Sequence, residues 1–252
     1  MEVTIDNMII NYEEIGHGQP VILMHGWGQN LEMMYSIVAG LKDQYHVYNI
    51  DLPGFGHSDE PSKAYTIDDY TNFLEEFVKI NNIDNPIIIG HSFGCRIAIK
   101  YAARKNPVKE MVLTGAAGLI DKKTPLYYFR VYTYKFFKIF KNVPFIKYYI
   151  QEAMDNAGSE DYKNSSPVMK GILKNAVNED LESYLGKITC PVLLIFGSND
   201  DATPVWMAKV MEDKMHNATL KIYQNATHYA YLENIDRFNK DMLEFLGKED
   251  DK

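Results

Sequence analysis

The stretch of sequence that decides the fold is IIIGHSFGCRIAIKYAARK, residues 87–105. It begins with three branched apolar residues, typical of a buried strand, and its composition after Gly94 favours a helix. Between them lies Gly90-His91-Ser92-Phe93-Gly94, which has the pattern G-x-S-x-G. In that context a serine sits on a tight strand-to-helix turn with its hydroxyl exposed, and small flanking residues prevent clashes. We therefore predict that Ser92 is a nucleophile, the alternative being an ordinary turn serine flanked by glycines.

Short apolar runs alternate with helix-like stretches on both sides of this motif. The runs are rich in branched residues, end at Gly, His or Asp, and span residues 21–24, 47–50, 87–89, 111–113 and 192–196. The helix-like stretches are residues 67–80, 93–105, 204–215 and 235–246. This alternation predicts an α/β fold with a mostly parallel central sheet and helices on both faces. Residues 3–15 are predicted to form an antiparallel hairpin at the edge of that sheet. Thr203 before Pro204 is predicted to be the N-cap of the helix at 204–215.

Residues 119–185 contain no run that reads as a strand, and their composition is different. Aromatic residues crowd into this segment beside basic ones, among them Arg130. An insertion of this length between strands predicts a small helical cap, or lid, over a core formed by residues 1–118 and 186–252. The aromatic residues would form the cap's own core or line an apolar pocket, and a helix on a membrane surface is a further alternative.

A serine hydroxyl needs a base to remove its proton, and a histidine is the usual one. His228 is the best candidate because it follows the strand-like residues 220–223, so it falls at the edge where the carboxyl ends of parallel strands meet. A carboxylate must then orient the imidazole. Asp200 and Asp201 both follow the run at 192–196, and position alone leaves both open. The order serine, aspartate, histidine is the one expected for this kind of site.

The site also needs hydrogen-bond donors for the oxyanion that forms during acyl transfer. The backbone N–H of Phe93, at the start of the helix, is one predicted donor. The N–H of Trp27 is the other, in the glycine-rich loop His25-Gly26-Trp27-Gly28 that follows a predicted strand. His25 and His91 lie close to this site, and two roles are open for them, structural support or substrate binding.

Composition and charge disfavour several other classes of protein. At 252 residues, with 46% hydrophobic and 24% charged residues, the chain fits one globular α/β domain. A net charge of -8 with a pI near 5.4 argues against a general nucleic-acid binder. Two widely spaced cysteines, no signal-like leader and no apolar run of membrane-helix length predict a cytoplasmic protein without an integral membrane segment. The sequence implies no metal and no organic cofactor, and it does not reveal the oligomeric state.

These motifs together resemble the α/β-hydrolase superfamily over essentially the whole chain. The matching pieces are the loop 25–28, Asp51-Leu52-Pro53-Gly54-Phe55-Gly56-His57-Ser58, the serine motif, residues 197–204 and His228. The resemblance implies that the acid is the aspartate of G-x-x-D-x-x-x-P, which is Asp200. It also implies Trp27 and Phe93 as the oxyanion donors and a cap at residues 119–185.

Within that superfamily, the residues favour ester cleavage. Haloalkane dehalogenases and epoxide hydrolases carry an aspartate nucleophile, so Ser92 disfavours both activities. The combination of His-Gly-Trp-Gly with Asp-Leu-Pro-Gly-Phe-Gly is similar to that of carboxylesterases of the biotin pathway. We therefore expect a small-molecule acyl substrate, a carboxylic ester, to be hydrolysed through an acyl-enzyme on Ser92.

Other activities remain open on the same residues. C–C bond hydrolases and cofactor-free dioxygenases share the serine-type site. The pattern G-x-S-x-G-x-R, completed here by Arg96, resembles a lyase family of the menaquinone pathway, in which Arg96 and Arg130 would bind substrate carboxylates bidentately. A structural ion pair on its helix is the other role open for Arg96. A non-catalytic binder of small ligands on the same fold is the remaining alternative.

Overall fold

A computed structural model of the chain describes residues 1–120 and 165–247. Their strands form one sheet and are β1 (Glu2–Ile5), β2 (Met8–Gly16), β3 (Gln19–Met24), β4 (Tyr45–Ile50), β5 (Ile87–His91), β6 (Met111–Thr114), β7 (Val192–Gly197) and β8 (Ala218–Tyr223). The strand order is β1-β2-β4-β3-β5-β6-β7-β8. The β1–β2 and β2–β4 pairs are antiparallel, and the other five pairs are parallel. The predicted mostly parallel sheet with an antiparallel edge hairpin is confirmed.

The helices of the described residues are α1 (Tyr35–Leu41), α2 (Ile67–Ile80), α3 (Phe93–Ala103), α4 (Pro167–Asn178), α5 (Glu182–Leu185), α6 (Val205–Lys214), α7 (Ala230–Glu233) and α8 (Ile235–Leu246). A 3-10 turn at Leu31–Met34 precedes α1. Local sequence explains where α2 begins, because Thr66 and Asp69 form a capping box in which each side chain accepts from the other's backbone N–H. Ser166 caps α4 by accepting from the Met169 N–H, and proline follows it at the first helical position.

Helices cover both faces of the sheet because the central strands are apolar on both sides. In β3, Val21 and Leu23 pack into one hydrophobic cluster, and Ile22 and Met24 pack into the other. The first cluster includes side chains of α1 and α8. The second includes side chains of α2, α3, α4 and α6. The short, nearly continuous apolar runs of the sequence are therefore strands buried on both faces, as predicted.

The beginning of α6 differs from the sequence prediction. Thr203 is not its N-cap: Pro204 occupies that position, and the helix begins at Val205. The Thr203 hydroxyl instead donates to the carboxylate of Asp200 at 2.7 Å. A hydrogen bond to an ionised carboxylate is about twice as strong as one between neutral groups, so this contact replaces the capping role.

The predicted cap is described only at its ends. Residues 121–164, and with them Arg130, lie outside the described residues. In the described part of 119–185, α4 and α5 are helical, and Met169 and Leu181 are buried in the same hydrophobic cluster as α2 and α3. The end of the insertion thus packs on the helices that cover the sheet. Its division from the core as a separate cap stays a prediction.

Candidate active site

Ser92 occupies the turn between β5, which ends at His91, and α3, which begins at Phe93. Its backbone has φ 49° and ψ -103°, a conformation that L-residues rarely adopt. Hydrogen bonds on both sides hold the turn: the Ser92 N–H donates to Thr114 O at 3.1 Å, and the Cys95 N–H donates to Ser92 O at 3.2 Å. Such strained residues cost about 1–3 kcal/mol and cluster at functional sites, which makes Ser92 a candidate nucleophile on conformational grounds as well.

The two glycines of the serine motif are required by close approach of the backbone. A Cβ atom at Gly94 would lie 2.4 Å from the carbonyl oxygen of Met24, at the end of β3. A Cβ atom at Gly90 would lie 3.0 Å from the backbone nitrogen of Cys95. The first turn of α3 therefore packs directly on two strands, and this packing fixes where the Ser92 side chain leaves the sheet.

Asp200 and His228 form a hydrogen-bonded pair at the carboxyl ends of β7 and β8. Nδ1 of His228 lies 2.8 Å from Oδ2 of Asp200. The carboxylate also accepts from the backbone N–H groups of Ala202 and Thr203, both at 2.8 Å, through its other oxygen. The side chain of Asp200 is fully buried, and that of His228 is 19% exposed. Asp201 is exposed, so the structure pairs His228 with the aspartate that the resemblance implies.

The Asp200 carboxylate is held in its charged form. Burial by itself would raise its pKa, but the hydrogen bonds from His228 and Thr203 outweigh burial and hold the pKa below the usual value of an aspartate. An ionised carboxylate is an acceptor only, so the bonded Nδ1 of His228 carries its proton. Nε2 of a neutral His228 is then left as the basic nitrogen.

The end of β6 connects the serine to the histidine. Thr114, the last residue of β6, accepts from the Ser92 N–H, and the next residue is Gly115. A Cβ atom at Gly115 would lie 3.1 Å from Nδ1 of His228, and the glycine has φ +52°. Sequence analysis missed both residues, because a Thr-Gly pair after a strand is a common turn and carries no signal of its own. The structure nevertheless brings Ser92 and His228 to adjacent residues, Thr114 and Gly115.

The loop after β3 lies against the first turn of α3. The Gly94 N–H donates to His25 O at 3.2 Å, and the rings of Trp27 and Phe93 meet edge to face with 5.4 Å between their centroids. The backbone N–H groups of Trp27 and Phe93 have no acceptor in the described parts of the chain. Two backbone donors are thus available where this loop meets the start of α3.

A cavity of about 830 Å³ opens beside the same loop. Among the described residues, its walls include Trp27, Phe55 and Met169. Trp27 and Phe55 pack edge to face, with 5.0 Å between ring centroids. The volume is in the range of small-molecule sites. Ser92 is not one of the described lining residues, so this cavity reaches Trp27 rather than the serine itself.

His25 is buried, and both of its ring nitrogens are occupied by the backbone. Nδ1 lies 2.7 Å from Gly26 O, and Nε2 accepts from the Leu52 N–H at 3.0 Å. Burial lowers its pKa to about 4, so the ring is neutral. Of the two roles open for His25, the geometry favours structural support, because no ring nitrogen is left for a substrate.

His91 is buried beneath His228. Their ring centroids are 4.8 Å apart, and the Tyr231 ring packs on His91 at 4.9 Å. Nδ1 of His91 lies 3.2 Å from Thr114 O, while its Nε2 has no partner in the described residues. Burial, followed by the neighbouring His228, lowers the pKa of His91 to about 3. His91 is therefore a neutral ring that supports the face of His228.

Arg96 lies on α3, where this helix meets the end of α4. Its guanidinium donates to the backbone carbonyl of Glu179, the C-cap residue directly after α4, at 3.0 Å. Burial lowers its pKa to about 10. Lys100, one helical turn further on, pairs with the carboxylates of Asp68 and Glu179. Arg96 thus ties α4 to α3 through a backbone carbonyl, which is neither the ion pair nor the substrate contact considered above.

Residues 1–120 and 165–247 contain neither a cluster of metal-ligating side chains nor a membrane-spanning helix. No three His, Cys, Asp or Glu side chains there are arranged to hold a metal ion. No helix in that part of the chain has the length and apolar character needed to cross a bilayer.

Comparison with known proteins shows the family to which this chain is similar. Residues 19–235 match a family model for the alpha/beta hydrolase fold. The pimeloyl-acyl-carrier-protein methyl ester esterase of Shewanella woodyi is 28% identical, with 95% of this chain and 98% of that protein covered. The 2-hydroxy-6-oxo-6-(2'-aminophenyl)hexa-2,4-dienoic acid hydrolase of Metapseudomonas resinovorans is 26% identical, with 95% and 88% covered. Among solved structures, an esterase from Exiguobacterium antarcticum superposes with a TM-score of 0.76 at 22% identity, covering 97% of each chain. This chain belongs to the alpha/beta hydrolase family.

Proposed function

We propose that this protein is a serine hydrolase that cleaves a carboxylic ester of a small molecule through an acyl-enzyme on Ser92. The observation that carries the proposal is the strained backbone of Ser92 at the strand-to-helix turn, at the same edge of the sheet as the hydrogen-bonded pair of His228 and Asp200. The similarity to an ester-cleaving relative over nearly the whole chain supports the same reaction class.

In the proposed mechanism, Ser92 Oγ attacks the ester carbonyl carbon while its proton moves to Nε2 of His228. Asp200 keeps the proton of His228 on Nδ1 and stabilises the imidazolium that forms. His228 then gives its proton to the departing alkoxide, which leaves as the alcohol. A water molecule then attacks the acyl carbonyl carbon while one of its protons passes to Nε2 of His228. The bond between the acyl group and Ser92 Oγ breaks, His228 returns the proton to Oγ, and the carboxylic acid is released.

The N–H groups of Trp27 and Phe93 are the proposed oxyanion donors. Both are backbone groups on packed elements, so they are already oriented before charge develops on the carbonyl oxygen. A single donor of this kind is typically worth about 2.7–4 kcal/mol to the transition state. Neither donor can be removed by a side-chain substitution, so Ser92 is the better target for mutation.

C–C bond hydrolysis is the second candidate, because the dienoic acid hydrolase is similar over 95% of this chain. The same three residues would serve that reaction. The lyase alternative requires arginines that bind substrate carboxylates, and Arg96 is engaged with the Glu179 carbonyl instead. Ester cleavage needs no such arginine, and for this reason we prefer ester cleavage to the lyase reaction. The predicted cap at 119–185 and a cytoplasmic location belong to the same proposal.

The test is hydrolysis of p-nitrophenyl esters of graded acyl length by the wild type and by Ser92→Ala. The exposed Ser183 in α5 provides a matched control, Ser183→Ala. We expect Ser92→Ala to lose at least ~10³-fold in kcat and Ser183→Ala to match the wild type. A maximum of activity at one acyl chain length would indicate the size of the site that holds the acyl group.

Covalent labelling separates the alternatives. A fluorophosphonate should label the wild type and Ser183→Ala but not Ser92→Ala. Ester turnover that survives in Ser92→Ala would refute the proposal. Labelling of Ser92 without turnover of any ester would favour C–C hydrolysis, and absence of both labelling and turnover would favour a non-catalytic ligand binder.

A further inference from the structure

Thr203 touches both members of the histidine–carboxylate pair. Its hydroxyl donates to Oδ2 of Asp200 at 2.7 Å, the same oxygen that lies 2.8 Å from Nδ1 of His228. The hydroxyl oxygen is also 3.3 Å from that Nδ1. Thr203 is 3% exposed, and its backbone N–H donates to the other oxygen of Asp200. One residue thus holds both carboxylate oxygens and contacts the imidazole.

We infer that Thr203 is a positioning residue, which fixes the Asp200 carboxylate and weakens Oδ2 as an acceptor for the His228 ring. The inference rests on the proposed function, in which His228 is the base. Through its bond to Asp200, the Thr203 hydroxyl would influence the pH at which the His228 ring gains a second proton and activity is lost.

Two effects of the hydroxyl oppose each other, and their magnitudes decide the sign. Its bond to the ionised Oδ2 withdraws negative charge from His228, and such charge-assisted bonds are about twice as strong as bonds between neutral groups. Its long contact with Nδ1 would stabilise the imidazolium, but this contact is between groups at 3.3 Å and is weaker. The first effect prevails, so removal of the hydroxyl favours the protonated ring.

The other groups that face His228 do not compete for this role. The His91 ring, 4.8 Å away, is neutral because burial lowers its pKa to about 3. The Tyr229 ring lies 5.6 Å away and meets His228 edge to face. Asp200 is the carboxylate that pairs with His228. A pH change that follows removal of the Thr203 hydroxyl is therefore transmitted through Asp200.

The experiment compares Thr203→Val, which removes the hydroxyl and keeps the shape, with Thr203→Ser, which keeps the hydroxyl. The midpoint of the acid limb of the kcat–pH profile should move to higher pH by roughly 0.5 to 1 in Thr203→Val. Its kcat at the optimum should fall roughly fivefold, with little change in KM. Thr203→Ser should restore both quantities to wild-type values.

A second readout needs no substrate. The proton NMR resonance of the His228 Nδ1–H, identified by its loss in His228→Gln, can be titrated in each variant, and its midpoint should shift in the same direction. Equal midpoints in the wild type and Thr203→Val would overturn the inference, as would failure of Thr203→Ser to restore the midpoint. If Thr203→Val does not fold, Thr203→Ala removes the same hydroxyl and is judged by the same midpoint. If the wild type cleaves no ester, the proposed function fails, while the NMR midpoints still test Thr203.

Discussion

Two histidine–aspartate combinations lie at the carboxyl edge of the sheet, and they are used differently. At one end of the edge, His25 and Asp51 follow β3 and β4; at the other, Asp200 and His228 follow β7 and β8. In the first combination, both side chains bind backbone groups of loops. Asp51 accepts from the N–H groups of Leu31 and His57. Both ring nitrogens of His25 contact backbone groups. Asp200 accepts from backbone too, but it keeps one oxygen for the His228 ring.

The difference shows that remaining hydrogen-bonding capacity, rather than residue type, separates the pair proposed to be reactive from the structural one. His25 is fully buried, whereas the side chain of His228 is 19% exposed. Nε2 of His228 has no partner in the described residues, so it can exchange a proton with a neighbouring hydroxyl or water. His25 has no nitrogen left to do so. Substitutions in the two pairs should therefore differ in their effect on kcat.

The largest expected effect is on the rate of the Asp200 variant. Asp200→Asn keeps the shape of the side chain but removes the charge that fixes the His228 tautomer. We expect kcat per folded molecule for ester cleavage to fall by about 10⁴-fold. The melting temperature should fall as well, because one amide oxygen cannot accept from Ala202, Thr203 and His228 as the two carboxylate oxygens do. A steady-state assay beside a thermal melt checks this prediction. Nearly full activity of Asp200→Asn would contradict the proposed role of the Asp200–His228 pair.

In the other pair, Asp51→Asn should affect stability instead of rate. An amide carries one oxygen, so it cannot satisfy the donors from Leu31, His57 and Asn11 that the carboxylate accepts. We expect the free energy of unfolding to fall by roughly 2–5 kcal/mol, while kcat per folded molecule stays near that of the wild type. Urea unfolding and active-site titration measure the two quantities. Loss of kcat without loss of stability would contradict the structural assignment of this pair.

The buried histidines should make the fold sensitive to mild acid. The pKa values of His25 and His91 are lowered to about 4 and about 3 from 6.5, so the unfolded chain binds protons below pH 6.5 that the folded chain does not. Stability is thus fully present above pH 6.5 and is lost as pH falls toward 4. Between pH 7.5 and 5.5, each histidine should remove about 1.4 kcal/mol from the free energy of unfolding.

The control for this pH effect is His91→Gln. The carboxylates with lowered pKa values titrate below this window, so about half of the wild-type difference between pH 7.5 and 5.5 should disappear in the variant. Urea unfolding of both proteins at the two pH values gives the comparison. An unchanged difference would mean that His91 binds its proton as readily in the folded chain as in the unfolded chain.

The smallest expected effect is a difference in stability between two variants of Ser92. Ser92→Gly and Ser92→Ala both lack the Ser92 hydroxyl, but φ 49° is strained for alanine and open to glycine. Relief of strain is worth about 1–3 kcal/mol, and the greater freedom of an unfolded glycine offsets about 0.5–1 kcal/mol of it. We expect Ser92→Gly to be more stable than Ser92→Ala by about 1 kcal/mol in urea unfolding. Equal stabilities would show that the turn stores no strain.

Much of the fold was readable from the sequence, because its signals are local and periodic. Branched apolar runs became the central strands, and the predicted bounds 67–80 and 235–246 are those of α2 and α8. The glycines around Ser92 predicted its turn, since that backbone geometry needs small neighbours. The pattern of strands also predicted which loops share an edge, because parallel strands end on the same side of a sheet.

Only the tertiary structure decided which polar groups find partners. The sequence placed His25 and His228 in loops after strands and singled out His228 as the base. Packing then gave His25 two backbone partners and His228 one carboxylate. Arg96 met a backbone carbonyl that is distant in sequence, and Thr203 met Asp200 rather than a helix end. Hydrogen bonds of this kind depend on loops that converge from separate strands, and no local pattern in the sequence records where those loops meet.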